Sequence, residues 1–168
     1  YPDALQQVVA RGDTVWWYGG TPPIDAPSTA ILSAVYQTWA RGLHGYCAWQ
    51  TTQPGDDPWF ASDGCATGLL YPGDRFGLPG PLPSIRLKNW RRGVQDVEYL
   101  VLARGVGEEA LAAEVLDTLV PRALDEGGLS GGEAVPWEED GEVWLQQRRR
   151  LADLFTPGVE PDADGGTG

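Results

Sequence analysis

Residues 14–20, TVWWYGG, decide how this chain is read. Thr14 to Tyr18 form a short β-branched and aromatic run, bounded by Gly12-Asp13 before it and Gly19-Gly20 after it, the signature of a strand. Beyond the turn-rich residues GGTPPIDAP, Ser28 is expected to cap a helix. Ile31, Leu32, Val35, Tyr36 and Trp39 recur there at helical spacing until Gly42. Residues 45–50, GYCAWQ, then read as a second strand. Strand, helix and strand joined by short connections predict a βαβ unit, with residues 14–18 and 45–50 as parallel neighbours in one sheet and helix 28–41 as the crossover.

Outward from this unit, residues 1–12 (YPDALQQVVARG) read as a helix. Residues 51–83 are crowded with Gly, Pro and Asp and carry only one brief strand-like run, GLLYPG. A connection of that length is uncommon unless it is functional. Ser84 opens a helix over residues 84–103, with Leu87, Trp90, Val94, Val97 and Val101 on one stripe and Gly93 as its weak point. Further helical patterns cover residues 108–124 and 143–155, and residues 156–168 have the composition of a disordered tail. The organisation expected is therefore βα units over residues 1–104, a helical extension over 105–155 and the tail.

The chain has 168 residues and 42% hydrophobic content, against about 250 for a complete (β/α)8 barrel. It is expected to supply part of a longer protein. No apolar run approaches the roughly 18 residues of a membrane span, so a soluble chain is expected, with its compartment left open. The net charge of −12 argues against a nucleic-acid partner, since phosphate binding relies on clustered Lys and Arg. Residues 108–168 hold 15 of the 24 acids and 4 of the 12 bases, a solvated acidic surface. Cys47 and Cys65 are too few for a disulfide framework and lack the paired spacing of a zinc site. A bridge between them is left open, and no metal or cofactor is expected.

Both strands end in aromatics where a loop begins, and in βα barrels that rim builds the active site. Alternation sets Trp16 and Tyr18 on one side of the first strand and Trp17 on the other; Gly45, Cys47 and Trp49 share a side of the second. The expected site-facing set is Trp16, Tyr18 and Trp49. Sugars present C–H patches that stack on such rings. Covering ~80 Å² of an indole face at about 25 cal/mol per Å² contributes roughly 2 kcal/mol. In the long connection, Asp56, Asp57 and Asp63 offer acceptors for hydroxyls, although acids in Gly-Pro loops more often form turns. Asp96 and Glu98 lie two apart on a helix and point in different directions, which favours structural pairing of these acids with Arg86, Arg91 or Arg92 over catalysis. His44, the only histidine, follows a helix end and reads as a dipole partner or loop residue.

The ordered set VWWYGG, HGYCAWQ, DDPWFASDG, GLLYPG and PLPSIRLKNWRRGVQDVEYL, over residues 14–102, resembles the C-terminal end of glycoside hydrolase family 123 and its relatives, known as domain of unknown function 4091. Pro83, Ser84, Arg86, Leu87, Gly93, Asp96, Glu98, Tyr99 and Leu100 match the family pattern, while Lys88, Arg92, Gln95 and Val97 depart from it. The resemblance implies the C-terminal part of a (β/α)8 barrel with an added helical segment. It also implies substrate-assisted hydrolysis of β-linked N-acetylgalactosamine, in which the sugar's acetamido oxygen is the nucleophile and a neighbouring Glu protonates the leaving oxygen. The family's Asp-Glu pair lies on an earlier strand, so no catalytic residue is assigned here, the upstream part of the barrel is an implied partner, and this chain alone is expected to be inactive. The substrate-binding set carried forward is Trp16, Tyr18, Trp49, Trp59, Asp63 and Tyr71, with an N-acetylhexosamine glycan as ligand. Two rivals stand beside it. One is a non-catalytic carbohydrate-binding or structural barrel. The other is a nucleotide site, in which residues 97–116 are read as strand, Gly-x-Gly-x-x-Ala and helix.

Overall fold

A computed structural model of the chain describes residues 2–23, 26–49, 51–52, 68–121 and 137–156. After helix α1 (Pro2–Ala10), strand β1 (Trp16–Gly20) pairs in parallel with β2 (Gly45–Trp49), in the register Trp16 opposite Gly45 through Gly20 opposite Trp49. Helix α2 (Ser28–Ala40) makes the crossover. The parallel βαβ unit expected from the alternation is present, with β1 displaced toward Gly20. Gly19 and Gly20 lie in the strand rather than after it because they pair with Ala48 and Trp49, and the Thr21 amide extends the ladder to the Trp49 carbonyl at 3.2 Å.

The start of α2 also differs from expectation. Pro27 occupies the cap position with φ −55° and ψ 144°, no side chain caps the helix, and Ser28 is its first residue. At the other end Gly42 adopts φ +70°, and the Gly42 and Leu43 amides return to Trp39 and Thr38 at 2.9 and 3.0 Å. This closes the helix with a left-handed glycine. Both apolar and polar residues of α2 are buried, including Ile31, Leu32, Tyr36, Ser33 and Gln37. A helix buried on most sides is packed between layers. Two of its hydroxyls bond locally, Ser33 donating to the Ala30 carbonyl at 2.8 Å and Thr38 to that of Ala34 at 2.6 Å, whereas the buried Thr29 hydroxyl makes no hydrogen bond among the described residues.

After β2, Leu70 forms an isolated parallel bridge with Thr52, and β3 (Leu70–Tyr71) turns back through a 3-10 turn (Asp74–Phe76) into β4 (Leu82–Pro83), antiparallel to it. Helix α3 (Ile85–Gly105) starts as the sequence indicates, with the Ser84 hydroxyl accepting from the Leu87 amide at 3.2 Å. Gly93 is where α3 approaches α2. A Cβ there would sit 3.1 Å from Val35 and 3.5 Å from Leu32, so the missing side chain permits the helix contact.

Helices α4 (Glu109–Leu119) and α5 (Gly141–Asp153) complete the helical layer. Leu32 and Tyr36 of α2, Leu100 and Ala103 of α3, Ala112, Val115 and Leu119 of α4, and Trp144 and Leu151 of α5 form one core. Tyr36 meets Trp144 edge to face at 5.0 Å, and the Trp144 indole donates to the Glu138 carbonyl at 2.7 Å. The helical extension thus shares its core with the βα unit. Residues 97–104, which a nucleotide site requires as a strand, are helical within α3. The described residues hold two two-stranded sheets and no closed barrel.

Candidate sugar-contacting face

The two sides of the β1–β2 sheet have opposite environments. On the helix side, Trp17 and Tyr46 stand in register with ring centroids 6.1 Å apart, and Tyr46 meets Trp90 of α3 edge to face at 4.9 Å. The Arg41 guanidinium lies over the Trp17 ring at 4.5 Å, a cation–π contact. Tyr46 crosses over β1 to donate to the Gly20 carbonyl at 2.8 Å. Gly19 makes that possible, because a Cβ on it would lie 2.6 Å from the Tyr46 hydroxyl oxygen. Burial pushes the Tyr46 hydroxyl pKa above its ordinary value, and the neighbouring Cys47 adds to the shift.

The other side is open. Trp16 is 61% exposed, Tyr18 61% and Trp49 57%, and Cys47, opposite Tyr18 in the register, is exposed with a free thiol. Alternation therefore sorts the rings as the sequence indicates, with Trp16, Tyr18 and Trp49 on one face. Tyr18 and Trp49 are diagonal neighbours across the strands, with centroids 6.0 Å apart and planes at 66°. Trp16 lies against the Cα of Gly45, where a Cβ would fall 2.9 Å from the indole. Each ring is thus held from one side and presented to solvent on another.

His44 fixes the entrance to this sheet. Its amide donates to the Val15 carbonyl at 2.8 Å, and its Nδ1 accepts from the Val15 amide at 3.2 Å. A backbone N–H can only donate, so Nδ1 is the unprotonated nitrogen and the side chain serves the backbone. His44 thus lies in the connection between α2 and β2, as the loop reading had it, and its side chain is tied to Val15.

Tyr71 lies apart from this face. It is buried in β3, and its hydroxyl accepts from the Arg86 guanidinium, which also donates to the Gly68 carbonyl. Trp59 and Asp63 of the expected set, and Asp56, Asp57 and Cys65, lie outside the described residues. Asp96 is 1% exposed and pairs with Arg92 one turn earlier at 3.6 Å and with Arg148 of α5. Arg148 was not legible from local spacing, since only tertiary packing of α5 brings it there. Arg86, one of the expected partners of Asp96, is engaged by Tyr71 and Gly68 instead. Glu108 precedes α4 without capping it through its side chain, Glu109 is the first residue of that helix, and Glu138 accepts from the Asp140 amide ahead of α5 at 2.8 Å. Among the described residues no group of three or more His, Cys, Asp or Glu could hold a metal ion, and no helix is long and apolar enough to cross a membrane.

Comparison with models of known protein families and with curated proteins gave no match.

Proposed function

We propose that the chain forms C-terminal βα units of a (β/α)8 barrel glycoside hydrolase acting on N-acetylhexosaminides, and that the open face of β1–β2 is its sugar-contacting wall. The observation that carries this reading is the exposure of Trp16, Tyr18 and Trp49 together on one face of a parallel sheet. Parallel sheets ordinarily bury both faces, and a wall of aromatics left open is the kind of surface that stacks on sugar C–H patches. The resemblance of residues 14–102 to glycoside hydrolase family 123 supplies the substrate class.

By alternation the open face carries Trp16, Tyr18, Gly20, Gly45, Cys47 and Trp49, none of them an acid. The chain's own part is therefore binding and orientation, with the proton donor coming from another strand of the full-length protein. The same lack of a carboxylate favours a second reading, a barrel that binds the sugar without cleaving it. Hydrolysis of an aryl N-acetyl-β-galactosaminide separates the two. The full-length protein is expected to turn it over, and residues 1–168 alone are not. Turnover by residues 1–168 alone would overturn the division of labour. Sugar binding without turnover by the full-length protein would select the non-catalytic reading.

A further inference from the structure

Tyr46 is rooted in β2 but makes its polar contact on the far edge of β1. The peptide between Gly20 and Thr21 is the reason. Its N–H points toward β2 and donates to the Trp49 carbonyl at 3.2 Å. In a trans peptide the carbonyl points the opposite way, so the Gly20 oxygen faces away from β2, and the Tyr46 hydroxyl reaches over β1 to donate to it at 2.8 Å. β2 therefore holds this peptide of β1 from both sides, with the Trp49 carbonyl in front and the Tyr46 hydroxyl behind.

The surroundings of this clasp are consistent with such a role. Gly19 opens the passage, since a Cβ on it would lie 2.6 Å from the Tyr46 hydroxyl oxygen. The Tyr46 ring is steadied by Trp17 and by Trp90 of α3, with centroids at 6.1 and 4.9 Å, so the hydroxyl is anchored to the helical layer. Burial, with Cys47 adding to it, raises its pKa above the ordinary value, and the group stays a donor near neutral pH. Two consecutive glycines give the end of β1 an unusually free backbone, and it is at this end that Tyr18 and Trp49 stand. Those rings are more than half exposed and meet each other edge to face at 6.0 Å. With so much of each ring in solvent, its direction depends on the backbone that carries it.

We propose that Tyr46 is a positioning residue for the sugar face: its hydroxyl, acting from the helix side through the peptide between Gly20 and Thr21, fixes the stance of Tyr18 and Trp49 toward the glycan. This rests on the sugar-face reading of β1–β2. Trp16, at the other end of β1, is seated on Gly45 and stands outside the clasp. Without the hydroxyl the end of β1 samples other conformations, and the sugar binds only the fraction in which the two rings are set, so the apparent affinity falls by that fraction. Loss of one net hydrogen bond corresponds to a change of about fivefold.

The test combines calorimetric titration of the full-length protein with N-acetylgalactosamine and fluorine NMR of the same protein labelled with fluorotryptophan, the Trp16 and Trp49 resonances being assigned by Trp16→Phe and Trp49→Phe. Tyr46→Phe keeps the ring between Trp17 and Trp90. It is expected to weaken the sugar about fivefold and to shift or broaden the Trp49 resonance while the Trp16 resonance stays in place. Gly19→Ala breaks the same bond from the other strand. Its effect on affinity should shrink in the Tyr46→Phe background, where the new Cβ meets the ring carbon Cζ at 3.4 Å instead of the oxygen. Wild-type affinity and an unmoved Trp49 resonance in Tyr46→Phe, with Trp49→Ala still weakening the sugar, overturn the positioning role alone. Equal disturbance of Trp16 and Trp49 overturns it too, because Tyr46 then supports the fold at large. If Trp49→Ala leaves the affinity unchanged, the sugar-face reading fails and the positioning role falls with it.

Discussion

Replacing Trp49 with alanine separates a ring that serves a ligand from one that serves the fold. The side chain is 57% exposed. Taking a Trp side chain at about 250 Å², about 140 Å² stands in water and about 110 Å² is already buried. At about 25 cal/mol per Å² the buried part sets a ceiling near 2 to 3 kcal/mol on lost stability, and the retained Ala methyl lowers it. The edge contact with Tyr18 at 6.0 Å accounts for about 0.5 to 1.5 kcal/mol of that. Trp144 offers the contrast. It is 1% exposed in the helical core, and its truncation is expected to cost about 3 to 5 kcal/mol. For binding, one indole face of ~80 Å² covered by a sugar contributes roughly 2 kcal/mol, about thirtyfold in Kd. Thermal melting and titration with N-acetylgalactosamine, on both variants of the full-length protein, give the two readouts. Trp49→Ala should lose affinity and keep most of its stability. A folded Trp49→Ala protein with wild-type affinity would refute the reasoning, because the open ring would then have no sugar to contact.

Other consequences follow from the packing. Gly93→Val places a branched side chain where even a Cβ lies 3.1 Å from Val35, and overpacking of that kind costs about 1 to 3 kcal/mol; denaturant unfolding would show it as a lower midpoint. Asp96→Asn leaves Arg92 and Arg148 without their buried counter-charge and is expected to destabilise by about 3 kcal/mol, with a smaller effect in the Arg148→Met background, measurable in a double-mutant cycle. His44→Ala removes the acceptor of the Val15 amide and should cost about 1 kcal/mol, seen as faster amide exchange at Val15. Hydrogen bonding and charge from Arg150 hold the Glu114 carboxyl below its ordinary pKa. A depressed carboxyl contributes stability above its unfolded pKa and loses it as pH falls through the folded value, so melting temperatures should drop in acid below the usual carboxylate range. Glu114→Gln should flatten that drop slightly, since the pair is exposed and screened.

The features legible from sequence are those set by short-range periodicity. Alternation along TVWWY and GYCAW assigned each ring its face, because a strand repeats every two residues whatever surrounds it. The spacing of Leu87, Trp90, Val94, Val97 and Val101, with Ser84 ahead, marked α3 as a helix but misplaced its buried stripe: Val94 and Val101 are exposed, and Gly93, Asp96, Leu100 and Ala103 are buried. What escaped depends on pairing between distant segments. Gly19 and Gly20 read as a turn and became strand because β2 pairs with them. Ser28 read as a cap and lost that place to Pro27. Gly93 looked like a flaw in α3 and is the seat of α2, which only the helix contact reveals. Tyr71 was counted with the substrate-binding residues and is buried against Arg86, and Arg148 reaches Asp96 through a fold that no local pattern encodes. The face taken by Trp16, Tyr18 and Trp49 was readable from alternation, whereas the place of Trp16 at the first residue of β1 and the way Gly45 seats it were not.

The most direct measurement of the central claim uses Cys47, which lies on the open face opposite Tyr18 and beside the strand position of Trp49. Its alkylation rate in the full-length protein, mapped to Cys47 by mass spectrometry, reports whether that face is covered. If the open face of β1–β2 is the sugar wall, saturating N-acetylgalactosamine slows modification of Cys47, and Trp49→Ala raises the sugar concentration needed. Modification of Cys47 at the same rate with and without bound sugar would contradict the account and place the glycan elsewhere.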